Sequence, residues 1–114
     1  MRGAPEESIL VFTSLDSMEA ARKFVRQLVD ERLVACGTII PRAESIYRWE
    51  GKVTTSEEAV VLLKTARARW DALSQRVRDL HPYQVPELLA VPVDTGLEPY
   101  LAWVRAETIA EGER

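Results

Sequence analysis

One imidazole and one thiol set the range of chemistry open to this chain. His81 stands in LHPYQVPELLAVPV, directly before Pro82, with Tyr83 and Glu87 close behind. Imidazole suits copper and titrates near neutral pH, so His81 is a candidate metal ligand or general base. The structural alternative is a helix-ending residue whose ring bonds a last-turn carbonyl. As imidazolium it would gain roughly 0.3–1 kcal/mol there from the helix dipole. Cys36, beside Gly37, is the second soft ligand. As a thiolate it favours Cu(I); as a thiol it is a small buried hydrophobe. No metal-type spacing joins the two, so only the fold can bring them together.

A second set of residues suggests a cleft. Lys64 closes an apolar run, where it must snorkel or pair, and Glu87 lies between Pro86 and another apolar run. A Lys64–Glu87 pair would satisfy both groups, as a structural ion pair or as the lining of a cleft for a small anion. Glu87 with a raised pKa is the other candidate base. Tyr83 shares that neighbourhood. Tyr47 and Trp49 alternate on one side of a ribbon and read as aromatic anchors in a desolvated patch. Arg67 and Arg69, at the end of a helix that disfavours cations, read as solvated or paired with Glu57 or Glu58. The Glu57-Glu58 pair itself reads as a solvated turn. No Gly-rich phosphate loop, Ser-His-Asp set or paired catalytic carboxylates can be identified, so no catalytic residue is assigned.

These residues need a scaffold. At 114 residues, 46% hydrophobic and 29% charged, the chain reads as one globular domain over 1–114, with 1–7 and 110–114 as loose termini. The net charge of −3 argues against nucleic acid and anionic membranes as partners. A lone cysteine makes no internal disulfide, which points to the reducing cytoplasm. The N-terminus shows no apolar signal core, and no apolar run approaches the roughly 20 residues of a membrane span.

The elements follow from periodicity. SILVFTS is a β-branched and aromatic strand. A helix follows, capped by Asp16 with Glu19, and Ala21, Phe24, Val25, Leu28 and Val29 form its apolar stripe. VACGTIIP is a second strand, interrupted by Pro41. ESIYRWEGKVTTSEEAVVLLKT is a long hairpin turning at Glu50-Gly51, with a second possible turn at TTSEE. A second helix runs from about Ala68 to Leu80, with Trp70, Leu73, Val77 and Leu80 inside, and Pro82 stops it. ELLAVPV is a strand whose flanking prolines imply an edge position or a short paired length, and LEPYLAWVRAETIA is a closing helix. The order is β-α-β-β-α-β plus a C-terminal helix: an α+β, ferredoxin-like sandwich of four antiparallel strands. Its second sheet face has no helix of its own except the last, and an uncovered apolar ribbon implies self-association.

The segments LVDERLVACGTIIP, SIYRWEGKV, VVLLKT, HPYQVPELLAVPV and YLAWV, in that order from Ile9 to Val104, resemble the CutA family of divalent-cation tolerance proteins. The resemblance implies a ferredoxin-like protomer and a homotrimer with strands extending the sheet of the next subunit. It also implies copper binding and a role in the response to metal ions. In some bacterial members a cysteine in the first strand and two adjacent histidines before the proline are the metal ligands. Here Phe12 aligns with that cysteine and Leu80 with the first histidine, leaving His81, with Cys36 as the other soft donor. The expectation is a non-enzymatic trimer with intersubunit clefts lined by Tyr47, Trp49, Lys64, Tyr83 and Glu87 that bind copper or a small ligand. The alternatives are a small trimeric enzyme with His81 or Glu87 as base, or an interaction module similar in architecture to the trimeric PII signalling proteins.

Overall fold

A computed structural model describes residues 3–109. The elements are β1 (Ser8–Leu15), α1 (Met18–Asp30), β2 (Cys36–Trp49), β3 (Lys52–Ala66), α2 (Trp70–Leu80), β4 (Leu89–Pro92) and α3 (Glu98–Glu107). A short 3-10 turn, Arg67–Arg69, leads into α2. The strands form one sheet in the order β2-β3-β1-β4 with every pair antiparallel. The first and third strands thus sit side by side in the middle, as two interleaved split βαβ units require.

Strand alternation decides where the core lies. Ile9, Val11 and Leu15 of β1 and Ala59, Val61 and Leu63 of β3 are buried on one face. Against them pack Phe24, Val25 and Leu28 from α1 and Leu73 and Val77 from α2. Each fully buried side chain of this size contributes roughly 1.5–3 kcal/mol of transfer free energy. Gly37 of β2 lies under α1: a Cβ there would meet Val25 Cγ1 at 2.6 Å. On the opposite face Leu10, Phe12, Val60 and Leu62 are half-buried, while Ile40, Leu89 and Val91 are exposed. Helix α3 covers one end of that face, where Tyr100 Oη lies 3.7 Å from Cys36 Sγ and Val104 is buried.

Local chemistry differs from the sequence reading in four places. The cap of α1 is Ser17, not Asp16: its hydroxyl accepts from Ala20 N–H at 3.0 Å, the third helical amide, which a residue one position earlier cannot reach. Pro41 does not end β2. It sits in a β-bulge with Arg42 (φ 56°) on a strand that is an edge in the single chain, where a missing N–H is tolerated. TTSEE is not a turn but an unbroken part of β3, since it has no Gly, Pro or Asn to reverse the chain. From Gly3 onward the leading segment is tied down, contrary to the expectation of a loose 1–7. Ala68 N–H donates to Pro5 O, Arg67 N–H to Glu7 O, and the Arg67 guanidinium pairs with Glu7 at 3.0 Å rather than with Glu57 or Glu58. Residues 1–2 and 110–114 of the expected loose termini lie outside the described residues.

The bulge governs what the hairpin presents. Ile40 pairs with Val60 but Ala43 with Glu58, so one extra residue is inserted in β2. Directly paired residues share a face. Without the bulge Tyr47 and Trp49 would share the face of Gly37 and Ile39. With it they pair with Thr54 and Lys52 and join the face of Glu58. The turn at Glu50-Gly51, with φ of 51° and 80°, has both central residues left-handed, as a type I′ hairpin requires. The ribbon projects: the molecule measures 46 × 26 × 23 Å, and its radius of gyration is 14.7 Å. A compact chain of this length would have roughly 13 Å.

Candidate functional site

A cleft of about 560 Å³ lies where the loop after α2 passes the base of the hairpin. Ser14 from the end of β1, Ser45, Tyr47 and Trp49 from β2, and Glu58 from β3 form one wall. Tyr83, Val85 and Glu87 from the loop form the other. The loop is held by His81. Its backbone is extended (φ −73°, ψ 131°), as the residue before a proline must be, and this stops α2. Its ring reaches back to β1: Nε2–H donates to Ser14 O at 2.8 Å. Nδ1 accepts from Tyr83 N–H at 3.2 Å. This pattern fixes the neutral Nε2–H tautomer. The ring also stacks edge-on between Phe24 and Tyr83, with centroids at 5.6 and 4.7 Å.

Tyr83, so placed, donates its hydroxyl to Glu58 Oε2 at 2.7 Å, and Ser14 Oγ donates to the same oxygen at 3.1 Å. Burial works against the charged carboxylate. The hydroxyls of Ser45, Tyr83 and Ser14 and the nearby imidazole outweigh it and hold the Glu58 pKa below the usual carboxylate value. Burial pushes the His81 pKa down, opposed by the Ser14 carbonyl and by Glu58 and Asp16. Burial and the Glu58 carboxylate push Tyr83 up. At neutral pH the site therefore holds an ionised carboxylate, a neutral phenol and a neutral imidazole.

Tyr47, Trp49, Tyr83 and Glu87, expected above to line an intersubunit cleft, are among the residues around this cleft of the single chain. Lys64 does not. It lies six residues along β3 from Glu58, roughly 20 Å at strand rise, and its Nζ donates to Thr38 Oγ1 at 2.7 Å. Among the described residues no ion pair joins Lys64 to Glu87, because they sit at different ends of the sheet. Glu58 was the residue missed. Its place in the alternation Glu58, Val60, Leu62 of β3 was the available signal, hidden by reading TTSEE as a turn.

The donor set does not fit a copper centre within one chain. Both His81 nitrogens are engaged, and the ring is buried. Cys36 pairs with Lys64 at the other end of the sheet, and its thiol lies against Tyr100. Ser14 and Leu10, the β1 residues that mark the two ends, are four positions apart, about 13 Å. Phe12 pairs with Leu62 and Leu89, and Leu80 packs on the core; neither is a metal ligand. Among the described residues no group of three or more His, Cys, Asp or Glu could hold a metal ion.

The profile of the family described as CutA1 divalent ion tolerance protein matches residues 9–107. The chain belongs to this family. It is 44% identical over 103 residues to the divalent-cation tolerance protein CutA of Thermus thermophilus, covering 90% of this chain and 98% of that one. It is 39% identical over 100 residues to the CutA of Pyrococcus horikoshii, covering 88% and 97%. With the human Protein CutA the identity is 40% over 97 residues; the match covers 85% of this chain and 54% of that one. Among solved structures, CutA from Xylella fastidiosa superposes with a TM-score of 0.88 at 41% identity, covering 90% of this chain and 99% of that one. CutA1 from Oryza sativa gives 0.88 at 38%, covering 90% and 94%. The family is named for cation tolerance and not as an enzyme family. Among the described residues no helix is long and apolar enough to cross a membrane.

Proposed function

We propose that this chain acts in divalent-cation tolerance as a non-enzymatic homotrimer of the cytoplasm, binding a small ligand in the clefts beside its hairpins. The observation that carries the reading is the projecting ribbon. Ile46, Tyr47, Trp49 and Val53 are exposed on it, beside a cleft whose polar groups are already ordered. Exposed apolar surface of this kind next to two open sheet edges, β2 and β4, is the ordinary mark of a surface that another chain covers. Strand addition between copies would satisfy both edges. The number three comes from the resemblance to CutA, and the tolerance role from the names of the relatives.

The enzyme alternative loses its first candidate base on geometry. His81 has no free ring nitrogen to take a proton without breaking the bond that holds Tyr83. Copper enters no part of this reading. The test is a thermal-shift screen of the assembled protein against divalent metals, nucleotides and small charged organics. A ligand for the cleft raises Tm by mass action, and Tyr83→Ala abolishes the shift. If nothing in the screen raises Tm, the chain is a ligand-free interaction module instead.

A further inference from the structure

The two walls of the cleft are built differently. The hairpin wall is a continuous ladder from Ala43–Glu58 to Trp49–Lys52, and it cannot part without losing strand pairing. The other wall, residues 82–87, belongs to no helix or strand. It is anchored at both ends. His81 is buried and bonded to Ser14 O, and Leu88 packs against the core. Between the anchors the backbone is bare. Pro82 and Pro86 have no N–H, and among the described residues the N–H groups of Gln84, Val85 and Glu87 reach no backbone carbonyl. The N–H of Tyr83 donates to the His81 ring, inside the same corner of the chain. One hydrogen bond crosses from this segment to the hairpin wall, from Tyr83 Oη to Glu58 Oε2 at 2.7 Å.

The sequence makes the segment stiff in places and free in others. Proline fixes its own φ, and a residue before proline is held extended. His81, Pro82, Val85 and Pro86 are restricted in this way, His81 at φ −73° and ψ 131°. Rotation is left to Tyr83, Gln84 and Glu87, so the segment moves as short stiff pieces between fixed ends. Opening uncovers little apolar surface, because Gln84, Val85 and Glu87 are already exposed and Tyr83 is half-buried. Few buried contacts and a single crossing bond place these residues at the low-stability end of the fold. When Tyr83 withdraws, Ser14 still bonds Glu58 Oε2 at 3.1 Å, and that oxygen regains acceptor capacity towards the cleft.

We infer that residues 82–87 are a hinged strap over the cleft, held shut by the Tyr83–Glu58 hydrogen bond. Shut, the phenol occupies the carboxylate. Open, the strap widens the cleft and leaves Glu58 to a molecule that enters. The role in admission rests on the reading of the cleft as a ligand site. The movement is tested with no ligand present, so a failed ligand screen and a failed strap are separate results.

The experiment is fluorine NMR relaxation dispersion on the assembled protein, with a trifluoromethyl label on Val85→Cys in a Cys36→Ser background. The same label on Arg22→Cys, exposed on α1, is the control. Exchange between microseconds and milliseconds is expected at position 85 and not at position 22. Tyr83→Phe should raise the open population roughly 5- to 10-fold, the effect of one screened bond to a carboxylate. Glu58→Gln keeps an acceptor of similar shape without the charge and should raise it roughly 2- to 5-fold. Sedimentation and circular dichroism should match the parent in both variants, and if Tyr83→Phe fails to assemble, Glu58→Gln decides alone. No exchange at position 85 in the parent or in the variants overturns the strap. Exchange that neither variant alters overturns the Tyr83–Glu58 bond as its fastening. Exchange that rises equally at position 22 is a loosening of the whole fold, and overturns the strap as well.

Discussion

Replacing Tyr83 by Phe removes one oxygen, the one that donates to Glu58 Oε2 at 2.7 Å. The ring stays, so packing against His81 at 4.7 Å is kept. A hydrogen bond to a charged group contributes about 1.5–3 kcal/mol, and a half-buried position open to solvent screening falls at or below the lower end. Tyr83→Phe should therefore cost about 1–1.5 kcal/mol near pH 7. The sign of the pH dependence follows from Glu58, whose pKa in the fold lies below 4.5. A depressed carboxylate contributes stability that is present above its unfolded pKa and is lost as pH falls through its folded pKa. The difference between parent and variant should shrink as pH falls below 4.5 and through the lowered folded pKa of Glu58, where the carboxylate protonates. The assay is urea denaturation at fixed protomer concentration, because assembly makes apparent stability concentration-dependent. A cost below about 0.3 kcal/mol near pH 7, or a cost that grows as the pH is lowered, would refute the bond or the charge state assigned to Glu58.

Gly37→Ala should destabilise the fold by roughly 1–3 kcal/mol in the same assay, since the new Cβ would lie 2.6 Å from Val25 Cγ1 and 3.0 Å from Leu63 Cδ2. Glu50→Asn should stabilise by several tenths to about 1 kcal/mol, measured as a rise in urea midpoint, because Glu50 holds φ 51° in a turn that prefers Asn. His81 is buried with its pKa below 6.5, so the unfolded chain takes up its proton first and stability should fall as pH drops below 6.5. The slope is at most about 1.4 kcal/mol per pH unit, and His81→Gln should flatten it; an unchanged profile would contradict the neutral tautomer.

The architecture was legible because its signals are local and repeated. The stripe of α1, apart from Val29, which is exposed at the helix end, the proline stop after α2 and the Glu50-Gly51 turn each carry one mechanism that tertiary packing did not overturn. Part of the candidate cleft was legible for the same reason: Tyr47, Trp49, Tyr83 and Glu87, four of its ten lining residues, stand out by type and place. Glu58 was hidden by the possible turn at TTSEE, and Lys64 was assigned to Glu87 by the general need of a cation to find a partner, which Thr38 meets instead. Had β3 been taken as a single strand, counting residues would have placed Lys64 far from the cleft and Glu58 on the face of the aromatics. The bulge at Pro41 could not be read at all, because a proline in a strand-like run signals an end, an edge or a bulge with equal force. The role of His81 was hidden because its partner, the carbonyl of Ser14, is a backbone atom 67 residues away.

Everything proposed for the cleft depends on identical chains covering the projecting ribbon. Sedimentation velocity at dilute concentration tests this most directly. The expected result is one species at three times the 12.9 kDa protomer mass, reduced by Trp49→Glu on the ribbon. A compact particle of single-protomer mass, stable on dilution, would contradict the assembly.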